Sequence, residues 1–393
     1  MKKIRAGLAA ICILSLCTAG CAGEAQPDEN SSQKQENTEG QEPSASLYAS
    51  AEQAAGYCRD IYEANSDTES LEKNRALVER LGEHGFAAAD TENQLNMMNA
   101  IQVEEFCASA SAGEEDEVQI LLVMSRNGIV YYDLCSEDGK LYVQQCTVYW
   151  ENGEPRAGYH TAYEVEKWEY TQKGYFLFEE YDRKGYDGPP GQTGIRVKPL
   201  SDECRELNRK YVRPVGYERN NLLILDWDSE DYGELNFYDM YDAMYKMKYG
   251  TDSPYRYDYR GAQYDIPAAE FEEVVQSYLP VDTRTLREKT EYNAESGTYH
   301  YRPRGLEDSE GLYGPYPEVT ACEMQEDGTW KLTVEAVWVE EFCDSALTGE
   351  LVVRPLEDGG FQYVSNHITK WVDGVSGEWY STRLTQDEWE IWY

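Results

Sequence analysis

Leu134-Cys135-Ser136-Glu137-Asp138-Gly139-Lys140-Leu141-Tyr142-Val143 is the stretch that decides the fold class. Asp-Gly is a two-residue hairpin turn whose positive φ angles suit the twist of paired strands. Apolar and aromatic residues alternate with polar ones on both sides of it, as half-buried strands require. Counting outward from the turn sets Cys135 opposite Tyr142 and Cys146 opposite Tyr131, so the two cysteines do not meet across the hairpin.

The same grammar extends in both directions. Val118 to Met124, Ile129 to Cys135, Leu141 to Trp150, Thr161 to Tyr170 and Tyr175 to Tyr181 read as strands. The turns Asn127-Gly128, Asp138-Gly139, Asn152-Gly153 and Lys173-Gly174 separate them. Turns this short join antiparallel neighbours, so the strands form a meander. Alternation places Leu141, Val143 and Tyr149 on one face, and the polar residues elsewhere predict a second face open to solvent.

Upstream, Leu47, Ala51, Ala54, Cys58 and Ile61 recur at helical spacing. A second helix is predicted from about Thr68 to Leu81 and a third from about Asn99 to Ala110, burying Ile101, Phe106 and Cys107. Downstream, the irregular loop of residues 185–194 lacks the lysine and following helix of a phosphate cradle. Ser201 caps a short helix. Leu235 to about Lys248 forms another, with Asp242 and Lys246 paired four apart.

The last third repeats the plan, with a helix around Phe271 to Tyr278 and strands near Tyr299, Val319 to Gln325, Trp330 to Val339, Glu350 to Pro355 and Phe361 to Ile368. Thr385 and Glu388 make a capping box before a closing helix. Val-Glu-Glu-Phe-Cys occurs at 103–107 and again at 339–343, helical in the first place and at a strand end in the second, so it is no structural repeat. The fold class is therefore α+β, two successive units of helices packed on antiparallel β-meander sheets. Residues 47–212 make the N-terminal domain and 213–393 the C-terminal one, since the roughly 345 residues after position 46 exceed what one core usually holds.

The N-terminus carries a different signal. Lys2, Lys3 and Arg5 precede the apolar run Ala6 to Leu16, and Thr18-Ala19-Gly20-Cys21 follows. The run is too short for an ordinary membrane-spanning helix and reads as a signal peptide over residues 1–20. Leu16-Cys17-Thr18-Ala19-Gly20-Cys21 resembles the lipobox of bacterial lipoproteins, with Thr18 where that pattern usually has leucine. The resemblance implies lipidation at Cys21, membrane partnership through that lipid and a place on the extracytoplasmic face of the cell membrane. A plain secretory signal or an uncleaved anchor are the alternatives. Residues 21–46, rich in Glu, Gln, Ser, Asn and Pro, read as a flexible acidic tether.

Formal net charge is −39 at pH 7, which disfavours nucleic acids and anionic surfaces as direct partners, while a glycan or peptide ligand is compatible. Outside the N-terminal segment lie Cys58, Cys107, Cys135, Cys146, Cys204, Cys322 and Cys343, widely spaced and without a CxxC. The histidines His84, His160, His300 and His367 are scattered, so no metal centre is expected and most of these thiols are read as free. Asp228, Glu230, Gly233, Asn236 and Asp239 match positions 1, 3, 6, 9 and 12 of a calcium loop, but Tyr232 at position 5 and aspartate at 12 break the pattern. That stretch reads instead as an acidic loop feeding the helix at Leu235.

Eleven of the 33 tyrosines lie between Tyr211 and Tyr264. Among them, Tyr255, Tyr257 and Tyr259 alternate with polar residues, and a strand there would put three phenol rings on one face. They are the candidate ligand-binding residues, set against the commoner role of large aromatics in packing.

Leu81-Gly82-Glu83-His84-Gly85-Phe86, Trp168-Glu169-Tyr170, Gly185-Tyr186-Asp187-Gly188-Pro189, Glu234-Leu235-Asn236-Phe237-Tyr238-Asp239 and Tyr363-Val364-Ser365-Asn366-His367 together resemble a family of uncharacterised lipoproteins from Gram-positive gut bacteria. That resemblance implies no activity. Nucleophile signatures such as Gly-x-Ser-x-Gly and His-Glu-x-x-His do not occur, and no catalytic residue or cofactor is nominated. A solute-binding protein would need alternating strands and helices on a parallel sheet. The first reading is a surface binding or interaction module. The second is an unrecognised cell-envelope or glycan-acting hydrolase.

Overall fold

Helix α1 (Ala45–Gly56) and helix α2 (Arg59–Ala64) replace the single helix expected from Leu47 to Ile61. Tyr57 and Cys58 turn between them, their amides donating to the carbonyls of Ala54 and Ala55. The apolar stripe survives the break, for Leu47, Ala51, Ala54 and Cys58 are all buried. Helix α3 (Leu71–Glu83) starts at the cap Ser70, whose hydroxyl accepts from Lys73 N at 3.1 Å. This computed structural model describes residues 45–64, 70–180, 191–305, 308, 314–372 and 379–392. The signal, Cys21, nearly all of the tether, Thr68 and most of the 185–194 loop lie outside these residues.

Next come β1 (Ala87–Asp90), α4 (Ala100–Ala112), β2 (Asp116–Val123), β3 (Gly128–Glu137), β4 (Lys140–Glu151), β5 (Glu154–Tyr170), β6 (Tyr175–Glu180) and β7 (Gln192–Arg196). They form one seven-stranded sheet in sequence order, antiparallel except for β1, which lies parallel to β2. Register in the β3–β4 hairpin is as the turn requires, with Cys135 opposite Tyr142 and Tyr131 opposite Cys146. Asp138 and Gly139 both take positive φ, 52° and 76°. Strand β5 is 17 residues long: its first part pairs with β4, and beyond Val165 it pairs with β6 through a bulge. A bulge bends the strand and raises its twist.

Two expectations are corrected in this half. Ile101 is 58% exposed, because α4 turns Val103, Phe106 and Cys107 inward and Ile101 lies about 200° round the helix from Val103. Neither face of the sheet's centre is open to solvent. Leu121 and Val123 of β2 pack beneath α1 and α3, while Ile120 and Leu122 pack with Phe106, Phe176 and Phe178 on the other side. Tyr149 stays on the face of Leu141 and Val143, as the unbroken register with β3 requires, and is exposed near the end of its strand.

The second half holds α5 (Asp202–Leu207), which continues into a π-turn at Asn208–Val212, then β8 (Trp227–Asp228), α6 (Phe237–Tyr249), β9 (Tyr264–Pro267), α7 (Ala268–Tyr278) and α8 (Thr283–Glu288). After them come β10 (Tyr292–Asn293), β11 (Thr298–Tyr301), β12 (Tyr316–Met324), β13 (Trp330–Trp338), β14 (Cys343–Pro355), β15 (Phe361–Trp371) and α9 (Gln386–Trp392). Strands 12 to 15 form an antiparallel meander with β8 added beside β15, and β10-β11-β9 form a small second sheet. The two Val-Glu-Glu-Phe-Cys strings differ, the first on α4 and the second in a 3-10 turn that enters β14 with Phe342 left-handed.

Cys204, Leu207, Tyr211 and Val212 join the core of this half, with Phe237, Tyr241, Phe271, Tyr299 and Tyr363. Residues 42–393 form one compact unit, α+β in class. A seam of Tyr175, Leu177 and Val337 joins the two sheets. Polar contacts reinforce it. Arg213, Arg205 and Arg209 of the α5 segment donate to the carbonyls of Glu92, Asn93 and Gln94 in turn, three arginines at helical spacing on three successive peptides. No described helix is long and apolar enough to cross a membrane.

Candidate functional site

Helix α6 organises the site. Asn236 caps it by accepting from Tyr238 N and Asp239 N at 3.1 and 3.2 Å, and Phe237, Met240, Tyr241 and Met244 anchor it in the core. Asp239 and Asp242, three residues apart, therefore share a face. Asp239 is fully buried. Its Oδ1 accepts from Arg304 Nε at 2.9 Å and Arg383 Nε at 2.6 Å, and its Oδ2 from Arg304 Nη2 and Tyr380 OH, both at 2.8 Å.

Asp242 accepts from Tyr301 OH and from Arg383 Nη2, each at 2.6 Å, and its side chain stays a third exposed. Its partner is thus Arg383 and not Lys246, whose Nζ lies 3.9 Å from Asp252 instead. Burial works to lower the Arg383 pKa, but Asp239 and Asp242 more than reverse it and hold the guanidinium charged. Loss of hydration raises the Asp242 carboxyl, against the pull of Arg383 and Tyr301.

Asp239, Asp242 and Arg304 floor a cleft of about 790 Å³, walled by Tyr217, Tyr255, Tyr257, Tyr301 and Tyr316. The segment bearing the three candidate tyrosines is not a strand. Residues 251–263 run irregularly, and Asp258 turns the chain by accepting from Arg260 N and Gly261 N. The three rings therefore do not share a face, and they meet three environments.

Tyr255 is half-buried, with its hydroxyl on Glu270 at 3.2 Å and its ring 5.3 Å from that of Tyr264. Burial and the Glu270 charge push that phenol up to about 12. Tyr257 lines the cleft, with the Tyr259 ring edge-on to it at 5.6 Å. Tyr259 is 82% exposed and lies outside the lining. Sequence reasoning reached two cleft residues, Tyr255 and Tyr257, and missed Asp239 and Arg304 as its floor, with Arg383 holding Asp239 from behind it. Nothing local marks a salt bridge closed across 65 or 144 positions.

The calcium-like spacing dissolves into separate roles. Asp228 Oδ1 accepts from the amides of Glu230 and Asp231, Asn236 caps α6, and Asp239 is held by two arginines. Among the described residues, no group of three or more His, Cys, Asp or Glu side chains could hold a metal ion.

The cleft's electrostatics differ from the chain's. Arg213, Arg219, Lys246, Arg256 and Arg304 face it together with Glu218, Asp239, Asp242 and Asp252, so charge is near balance there in a chain of −39. Both floor carboxylates are already engaged by arginine and tyrosine, which makes them anchors of structure and not a free acid–base pair of the kind glycoside hydrolysis needs.

No curated protein and no solved structure matches this chain. Residues 44–383 match a family of unknown function, DUF6070, and the chain belongs to that family.

Proposed function

We propose that the protein is a ligand-binding lipoprotein, held at the outer face of the cell membrane by a lipid on Cys21, that takes a neutral glycan in the tyrosine-walled cleft. The observation that carries the binding reading is the cleft itself, about 790 Å³ with the part-exposed Tyr255 and Tyr257 on its walls and paired charges on its floor. Tyrosine offers a rigid face that stacks on sugar rings at small entropic cost, and hydrogen-bonding floor groups orient hydroxyls. Near-balanced charge favours a neutral ligand over a cationic peptide. The engaged state of Asp239 and Asp242 argues against the hydrolase reading.

A glycan array, followed by titration calorimetry on any hit, tests this. Tyr257→Ala is expected to lose at least tenfold in affinity with little change in melting temperature. Tyr255→Ala, which removes a half-buried ring from the core edge, is expected to cost about 1–2 kcal/mol of stability. Tyr259→Ala is expected to change neither. A wild-type protein that retains no glycan, or a Tyr257→Ala variant that binds as wild type does, overturns the proposal.

Anchoring is tested separately. Thr18-Ala19-Gly20-Cys21 motivates it, and Cys21→Ala is expected to move the protein from the membrane fraction into the soluble or secreted one. Persistence of the variant in membranes after a carbonate wash would show that a lipid on Cys21 is not the anchor.

A further inference from the structure

Cys204 sits on α5, buried to 4% exposure, and Cys322 sits on β12, partly exposed. Their sulfurs lie 3.7 Å apart, in van der Waals contact, although 118 positions separate them in the chain. A disulfide needs about 2.05 Å, so closing the bond takes a movement of under 2 Å, within reach of small side-chain rotations.

The elements so joined are notable for where they lie. Strand β12 is the edge of its sheet, paired with β13 alone. Helix α5 is tied to the first half by Arg205, whose Nε donates to Asn96 Oδ1 at 3.1 Å and whose Nη1 donates to Asn93 Oδ1 at 3.0 Å. A bond between the two sulfurs would therefore clamp the edge strand of one half to the helix gripped by the other.

We propose that Cys204 and Cys322 are a redox-active dithiol that closes to a disulfide by exchange with an external small-molecule or protein disulfide, locking β12 to α5. Cys322 is the more exposed, so its thiolate attacks one sulfur of the external disulfide, forming a mixed disulfide and releasing one thiolate. The Cys204 thiolate then attacks the Cys322 sulfur and releases the second. Two electrons pass to the external disulfide, which leaves as two thiols carrying the two protons. Burial, with Cys204 and Glu203 beside it, pushes the Cys322 thiol up to about 12, so exchange at neutral pH is slow and calls for long incubation.

The test uses the purified soluble chain, residues 22–393, incubated with excess hydroxyethyl disulfide and, in parallel, with reduced dithiothreitol. The oxidised sample is expected to lose the Cys204 and Cys322 thiols, counted apart from any mixed disulfide on the exposed Cys135, to yield a linked Cys204–Cys322 peptide on mapping, and to gain about 5 °C in melting temperature that dithiothreitol reverses. Cys322→Ser should keep the reduced protein's melting temperature and gain nothing on oxidation. If that variant fails to fold, alkylation of Cys322 in the wild type is the readout, expected before oxidation and blocked after it. Cys204 and Cys322 still titrating as thiols after the disulfide, Cys322 still alkylated afterwards, or a bridge that maps to any other pair overturns the proposal.

Discussion

Asp239→Ala is expected to destabilise the protein by about 3–5 kcal/mol, measured by urea denaturation followed through tryptophan fluorescence. The carboxylate is wholly buried and accepts four hydrogen bonds, three of them from Arg304 and Arg383, whose side chains are 4% and 10% exposed. Its removal strands guanidinium charge without a counter-ion, and the cost of an unpaired buried charge exceeds what the pair contributed over an apolar substitute. Arg383 retains Asp242, so Arg304 bears most of the loss, keeping the carbonyl of Asp308 at 2.9 Å and the Tyr380 ring. Asp239→Asn keeps the shape but not the charge and is expected to be destabilised as well, by a smaller amount. A loss below about 1 kcal/mol for the alanine variant would mean that water reaches the cluster and that it does not hold the cleft floor rigid.

The second large effect is expected at Glu318, the polar pin of the seam. It is 1% exposed and accepts from Arg196 Nη1 at 2.6 Å, and from Tyr175 OH and Asn93 Nδ2, both at 2.9 Å. All three donors belong to the first half and Glu318 to the second, while Arg205 Nη1 stands 3.9 Å away with little other countercharge. Glu318→Ala is expected to cost about 3–5 kcal/mol by the same physics and to open the seam to limited proteolysis. Adding Arg196→Met to Glu318→Ala removes one of the stranded charges, so the double variant is expected to recover part of that loss. Denaturation midpoints of the two single variants and the double measure the coupling. Additive losses would show that the pair is not coupled.

The sequence alone determines whatever neighbours along the chain settle among themselves. Asp138-Gly139 set the register of its hairpin because a two-residue turn with positive φ leaves one pairing to follow, and the observed partners of Cys135 and Cys146 are those that counting predicts. Ser201 caps α5, accepting from Cys204 N at 3.1 Å, and Thr385 and Glu388 exchange their capping bonds ahead of α9, because each interaction spans only three residues. Helix α4 shows the limit of this. Its existence was legible in residues 99 to 110, but which side faces the core depended on the sheet beneath it, and Ile101 went outward.

The tyrosine run shows the same limit at the site. Alternation alone made a strand of residues 255 to 259, whereas a strand needs a partner edge, and with Asp258 bending the chain these tyrosines settled in different surroundings. The α+β class, the hairpin registers and the caps were determined by the sequence itself, since their energies come from turns, periodicity and contacts a few residues apart. The floor of the cleft, the Glu318 pin and the Cys204–Cys322 contact were decided only by tertiary structure. Each joins residues more than 50 positions apart, and burial selects such partners only once the whole chain is packed.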